Sequence, residues 1–275
     1  MSIPSSATSI RLAERMVALW RSNPPSTLEE LVRDGSMRYA GVVSHIDHVA
    51  NLVDAIAVLE SQQMLVQCAP LIRTLMESAV TAAWFAATPG SWDAASLDGI
   101  RQRLKLARDV DSEQGIPTSP ETEDLEQGEK DLVEFFSTEA ETFLGRVQSL
   151  QGMGTVYVGY RVLSGYTHAG TPLMDHYLRQ DDSAKFGLQY SADFEFADAD
   201  KCFWSIPPMV HLAVSAWDSI DPDARYRSEL EAITRLTSIN SPVTRRKTER
   251  QQRAERLADR NAKGDAARAR REAAS

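Results

Sequence analysis

The sequence predicts an all-α protein, a multi-helix bundle carrying one short non-helical hairpin or lid segment and a basic C-terminal tail that is helical or disordered. Three observations lead there. Apolar residues recur at helical spacing through most of residues 1–243, Pro, Gly and Ser/Thr/Asp signals punctuate those runs, and only residues 181–200 alternate apolar with polar. No internal repeat of fixed period is visible, so one helical domain over 1–243 and a tail over 244–275 are expected.

Each element follows from its own signals. Ser5 or Ser6 caps a first helix on which Ile10, Ala13, Met16, Val17 and Trp20 share a face, and Asn23-Pro-Pro25 must end it. Ser26-Thr-Leu-Glu29 has capping-box spacing and opens a short helix to about Arg33, before the break at Asp34-Gly35. Ser36 to about Gln62 reads as one long helix with a broad apolar face. Its neighbour, Met64 to Thr88, is apolar nearly all round, as the central helix of a bundle is. Pro89-Gly90 closes it, and Ala94 to Val110 forms the next. Beyond the polar loop Ile116 to Thr122, a charged helix is expected to run to Gln151, with Phe135, Phe136, Phe143 and Val147 as core contacts.

Gly152-Met-Gly154 separates that helix from one running to His168, and Ala-Gly-Thr-Pro172 forces a turn before a short helix carrying Met174, His176 and Tyr177. Phe186, Leu188 and Tyr190, then Phe194 and Phe196, alternate around Ser191-Ala-Asp193 and suit a short hairpin or lid. Asp198 or Asp200 caps an apolar helix to Ile220 that Pro207-Pro208 should kink or split. A last helix spans Asp221 to about Asn240, and Pro242 marks the exit into the tail.

Charge narrows the classes of function. The net charge is −9, yet Thr244 to Ser275 holds 11 Lys and Arg against 5 Asp and Glu, or +6, which leaves −15 on the remainder. An acidic body argues against a broad duplex-binding face, because such binding neutralises phosphates with Lys and Arg. The tail could meet an acidic partner or nucleic acid. No secretory signal is read at Met1-Ser-Ile-Pro-Ser-Ser, and Gln67, Arg73 and Glu77 interrupt the longest apolar run, so a cytoplasmic protein without a membrane span is expected. Cys68 and Cys202 sit in apolar helical patterns and read as buried free thiols.

Two polar anomalies stand out on apolar helices. In Tyr157-Val-Gly-Tyr160-Arg161-Val-Leu-Ser164-Gly-Tyr-Thr-His168, the side chains at 157, 161, 164 and 168 fall within an arc of roughly 60°. A phenol, a fixed cation, a hydroxyl and an imidazole therefore share one stripe. Guanidinium pairs bidentately with phosphate oxygens and imidazole exchanges a proton near neutral pH, so the stripe suits phosphate chemistry; equally, His168 could cap the helix and Arg161 pair with a neighbouring acid. The second anomaly is Arg73 and Glu77, one turn apart in the most apolar helix, where unpaired charge would be costly. They satisfy each other with nearby hydroxyls or line a polar pocket, which Glu77 would share by orienting His168 or Arg161. His45 and His48, with Asp47 and Asp54, offer an i, i+3 pair but no full ligand set, and no metal or cofactor is expected.

The helix Leu71-Ile-Arg73-Thr-Leu-Met-Glu77-Ser-Ala-Val, paired with the later Tyr160-Arg161-Val-Leu-Ser164-Gly-Tyr-Thr-His168, resembles an uncharacterised all-helical family common in bacteria over roughly residues 36–180. More distantly, the six-residue gap from Arg161 to His168 is similar to the Arg-x(4 to 6)-His motif of the HEPN superfamily, helical proteins of toxins, defence systems and metal-independent ribonucleases. Val162 stands where those nucleases usually carry a polar residue. The resemblance implies a homodimer closing two such helices over one RNA strand, with His168 as general acid or base, Arg161 stabilising the phosphorane, and Ser164 or Tyr157 orienting the phosphate. The expected function is thus HEPN-like RNA cleavage or nucleotide binding, in a bacterial stress or defence system. The competing expectation is a non-catalytic helical module binding a protein partner or small ligand.

Overall fold

The structure, a computed structural model, describes residues 3–25, 27–32, 37–115, 118–168, 170–191, 196–237, 239 and 243–245. It is all-α apart from one two-stranded antiparallel ribbon among those residues. Residues 1–244 form one compact unit and 245–275 a second. The tail from residue 246 onward lies outside the described residues.

Helix α1 (Ser6–Ser22) starts where Ser5 Oγ accepts from the Thr8 N–H, at 3.4 Å. The short α2 (Leu28–Leu31) is opened by a reciprocal box one residue later than expected: Thr27 Oγ1 accepts from the Glu30 N–H, and Glu30 Oε2 from the Thr27 N–H, both at 3.2 Å. Ser26 and 33–36 are outside the described residues. Helices α3 (Arg38–Ser61) and α4 (Cys68–Ala87) pack along their length, with α12 (Ile206–Asp218) and α1 closing the far side. α4 is the bundle's central helix, as its composition requires. Ile72, Leu75, Ala79, Val80, Ala83 and Trp84 are wholly buried on successive faces of it. α3 has the length and hydropathy of a membrane span, with 44% of that window buried against its neighbours.

Gly90 and Gly115, both in the left-handed region, bracket α5 (Ser91–Gln114). The expected continuous helix to Gln151 is instead four pieces: α6 (Pro120–Leu132), a 3₁₀ turn at Val133–Phe135, α7 (Thr138–Glu141) and α8 (Phe143–Ser149). The breaks have a local cause. Ser137 Oγ accepts from the Glu139 N–H and Thr142 Oγ1 from the Gly145 N–H, so each hydroxyl starts a new helix where an unbroken one would have needed those amides. As a result Phe135 and Phe136 are exposed rather than core, and the Arg101 guanidinium lies 5.1 Å from the Phe136 ring centroid.

Helix α9 (Gly154–Thr167) lies across α4, and α10 (Thr171–Tyr177) follows it. The ribbon is displaced from its expected place. Strand β1 (Leu178–Gln180) pairs with β2 (Leu188–Tyr190), Leu178 opposite Tyr190, and the chain turns at 181–187, while 192 and 193 of the expected centre lie outside the described residues. Asp181 holds that turn by accepting from the Ser183 N–H and hydroxyl, and Gly187 supplies a positive φ. Phe194 lies outside the described residues, while Phe196 is buried.

The next run splits at Ser205 into α11 (Ala199–Trp204) and α12, with the prolines in the first turn of α12, where the missing N–H costs nothing. The final helix is shorter than expected, α13 (Arg227–Thr237), because Asp221 serves another purpose. Its carboxylate accepts from Arg225 Nε at 2.8 Å, and Arg225 Nη2 also reaches Glu30 Oε1 at 2.7 Å, pinning the chain after α12 onto α2. Cys68 and Cys202 are buried free thiols, and burial pushes both up to about 12.

Candidate functional site: a polar seam along the central helix

Arg73, Glu77, Thr81 and Trp84 follow one another at i, i+4, i+8 and i+11 on α4, a stripe that runs up an otherwise apolar helix. α9 covers its first half. Arg73 Nε donates to Ser164 Oγ at 3.1 Å, and Arg73 Nη2 donates to the Tyr160 hydroxyl, which in turn donates to Glu77 Oε1 at 2.9 Å. Ser164 Oγ passes its own proton to the Tyr160 carbonyl at 2.8 Å. Arg73 and Glu77 also meet directly at 3.1 Å. Every hydroxyl proton in the quartet therefore has one acceptor, and the charges neutralise each other. Side-chain exposures of 21% for Arg73 and 34% for Glu77 leave the network open on one side.

Aromatic rings fix its position. The Arg73 guanidinium sits 4.6 Å from the Tyr160 centroid, and Tyr160 packs against Phe143 at 4.2 Å and stacks with Tyr157 at 6.0 Å. At Gly159, where α9 faces α4, a Cβ would make only an ordinary contact, 3.6 Å from Met76 Cε. Burial, opposed by the Arg73 hydrogen bond and reinforced by Glu77, holds the Tyr160 phenol above its ordinary value.

α8 covers the second half. Arg146 Nη1 donates to Thr81 Oγ1 at 3.0 Å, Nη2 donates to the Ala140 carbonyl, and the guanidinium lies 5.6 Å from the Trp84 ring. Trp84 Nε1 donates to Glu139 Oε2 at 3.1 Å. Burial lowers the Arg146 guanidinium, while the field of Asp98 and then Glu77 opposes the shift. Next to it, His45 stacks on Phe85 at 5.8 Å and is depressed to about 4, first by burial and then by Arg146 and His48. Its imidazole is neutral at pH 7.

Of the residues singled out in the sequence, the structure gathers Arg73, Glu77 and Ser164 into one network, with Tyr157 one ring away. Arg161 and His168 lie apart from it. Both are exposed, and neither side chain makes a hydrogen bond or ion pair with a described residue. The His168 N–H donates to the Ser164 carbonyl at 3.3 Å, so His168 is the C-cap of α9. Asp47 accepts from Trp20 Nε1 and Asp54 pairs with Arg21, and among the described residues no three His, Cys, Asp or Glu gather as metal ligands. Thr81, Trp84 and Glu139 escaped the sequence reading, as did two members that tie helices together, Tyr160 and Arg146. The second had a signal, a lone arginine within the apolar set Phe143, Leu144 and Val147.

Residues 39–186, more than half of the chain, match the model of a family of unknown function, DUF5677. The chain belongs to this family. The DUF5677 region takes in nearly all of α3, all of α4 to α10 and the start of the ribbon, so the whole seam lies within it, whereas α1 and α11 to α13, which complete the core, lie outside. No curated protein and no solved structure matches the chain.

Proposed function

We propose that this DUF5677 protein binds single-stranded RNA or a nucleotide through the outer stripe of α9 and, in a HEPN-like manner, cleaves RNA without a metal. One observation carries the reading: Arg161 and His168, two helical turns apart on one face, are exposed and uncommitted, while Ser164 between them is held by Arg73. Seven residues of helix separate the two side chains by about 10 Å, a span that two consecutive phosphates can bridge. Arg161 would take phosphate oxygens and Tyr157 a base face.

In the cleavage step the ribose 2′-oxygen attacks phosphorus, the bond from phosphorus to the 5′-oxygen breaks, and a 2′,3′-cyclic phosphate forms. One His168 accepts the 2′-hydroxyl proton. A second copy's imidazolium gives a proton to the leaving 5′-oxygen, which is why the reading includes a homodimer. A cytoplasmic, bacterial stress or defence setting accords with it, and the basic tail is a further anchor for an acidic partner or RNA.

A second reading has its own observation. The Arg73–Glu77–Tyr160–Ser164 quartet satisfies itself, as expected if it specifies the packing of α9 on α4 in a non-catalytic binding module. Incubation of the full chain with a labelled single-stranded RNA in excess chelator separates the two. Cleavage by wild type and its loss in Arg161→Ala and His168→Ala, with helicity unchanged, supports the nuclease; equal cleavage in all three overturns it. No cleavage in any, with RNA retained by wild type and not by Arg161→Ala, reduces it to binding. Absence of both leaves the packing module.

A further inference from the structure

A cavity of about 360 Å³ lies at the C-terminal end of α9, lined by Tyr166, Pro172, Asp175, His176, Arg179 and Phe196. By itself it has the size of a small-molecule site, roughly 300–1,000 Å³. Tyr166 precedes His168 by two residues but lies about 160° around the helix from it, so the Arg161 and His168 stripe takes no part in this cavity.

Three rings shape it. Phe196 is buried, and the planes of Tyr166 and His176 stand at 75° and 85° to it, with centroids 4.8 and 5.9 Å away. The Tyr166 ring is held in place by its hydroxyl, which donates to Asp198 Oδ2 at 3.3 Å. A planar ligand can therefore stack on one ring and meet another edge-on, both favourable arrangements. Asp175 makes no hydrogen bond or ion pair with a described residue, and neither ring nitrogen of His176 is hydrogen-bonded to one. Burial, then the field of Arg179, lowers His176, which leaves a neutral imidazole with one donor and one acceptor. Arg179 already has an interaction of its own, and its charge opposes a cationic ligand as Asp175 opposes an anionic one. A neutral ring with donors on its edge meets neither penalty. Among the nucleobases the Asp175 carboxylate, which only accepts, discriminates sharply. Guanine offers it two adjacent donors, N1–H and the 2-amino group, and keeps O6 for the imidazole N–H. Adenine and cytosine set a lone-pair nitrogen beside their amino group, and uracil flanks its one N–H with two carbonyls, so each turns an acceptor towards the carboxylate.

We propose that this cavity binds a guanine base, stacked among its rings with the N1–H and 2-amino group on Asp175 and O6 on His176, whether an RNA strand or a free nucleotide presents it. This names the base for the RNA or nucleotide reading and rests on that reading only for where the base comes from. Titration calorimetry of the full chain with guanosine, inosine and adenosine 5′-monophosphates tests it, since the three share one ribose and phosphate. Saturable binding of the guanosine nucleotide is expected. The inosine nucleotide, lacking the 2-amino donor, should bind about tenfold weaker, and the adenosine nucleotide, lacking both donors, weaker still. Asp175 is exposed, so Asp175→Asn should fold. It should weaken the guanosine nucleotide about tenfold or more and leave the adenosine nucleotide unchanged, a selective loss that general loosening of the cavity would not produce. No saturable binding of the guanosine nucleotide up to about 10 mM, equal affinities for all three, or a guanosine-to-adenosine ratio that Asp175→Asn leaves unchanged overturns the proposal. Where the base does bind, uridine oligomers with and without one guanosine assign its source: retention of the guanosine-bearing strand alone points to RNA, and equal retention to the free nucleotide. Arg161→Ala and His168→Ala should leave the nucleotide affinities unchanged, so this site and the cleavage reading stand or fall separately.

Discussion

Replacing Tyr160 by Phe removes one oxygen from the seam and leaves everything around it in place. The lost atom accepts from Arg73 Nη2 and donates to Glu77 at 2.9 Å, so two hydrogen bonds to charged groups vanish. Each such bond contributes about 1.5–3 kcal/mol when its partner is left buried and unsatisfied. Here both partners keep a substitute. Arg73 and Glu77 still meet at 3.1 Å, and side-chain exposures of 21% and 34% admit water to both. The low end counted once is therefore appropriate, about 1–2 kcal/mol, or roughly 3–6 °C in Tm for a unit of this size. Urea unfolding followed by far-ultraviolet circular dichroism measures it, with an unchanged m-value confirming that the native state is intact. Tyr160→Leu should lose about 2 kcal/mol more, because it also removes the ring that packs on Phe143 at 4.2 Å and faces Arg73 at 4.6 Å. The difference between wild type and Tyr160→Phe should also depend on pH. The folded phenol titrates above its ordinary value, so its contribution is complete below about pH 10 and is lost as pH rises through the folded value. A Phe variant within about 0.3 kcal/mol of wild type, or one as unstable as the Leu variant, would refute the view that the hydroxyl ties the two charges together.

Two further outcomes follow from the same packing. His45 is depressed to about 4 in the folded chain against 6.5 for the free side chain, so it favours the neutral form; its contribution is present above about pH 6.5 and is lost as pH falls towards 4, on the order of 2–3 kcal/mol, and His45→Leu should flatten the stability profile in that window. An unchanged acid limb in the variant would show that another group governs it. On α9, Gly159→Ala should raise stability by about 0.5–1 kcal/mol, since a Cβ there meets only the flexible end of Met76 at 3.6 Å. Gly165→Ala should fall short of that gain or destabilise, because its Cβ would stand 3.2 Å from the rigid ring of Pro172. Thermal unfolding of the two variants side by side checks the contrast, and equal gains would mean that Pro172 yields.

The helical architecture was legible because its signals are local. Ser5 before α1, glycines on either side of α5 and prolines in the first turn of α12 act through a few neighbouring backbone groups, and all sit where the structure uses them. The failures involve competition between local signals. Ser137 and Thr142 each outbid the helical periodicity of 122–151, and Asp181 with Gly187 set a turn at 181–187 that the alternation around Ser191 did not show. Asp221 was expected to open the last helix and is instead half of a clasp on Arg225, a partnership that involves Glu30, far away in sequence.

The site was legible in part, for a reason that lies in the residues themselves. The charged members, Arg73 and Glu77, announced themselves because charge in an apolar helix demands a partner. Tyr160 did not, because a tyrosine is as much at home in a core as at a network, and the stripe reading set it aside in favour of Arg161, one residue on. That single step turns about 100° around the helix. It separates a phenol that joins α4 to α9 from a guanidinium that faces solvent. Ser164 lies between the two directions and takes the Arg73 bond while remaining one turn from His168. The two anomalies in the sequence are therefore linked through one hydroxyl rather than merged into one cluster. Ser164→Ala is then expected to uncouple them: loss of RNA cleavage without loss of stability would place Ser164 with the outer stripe, and loss of stability alone would place it with the seam.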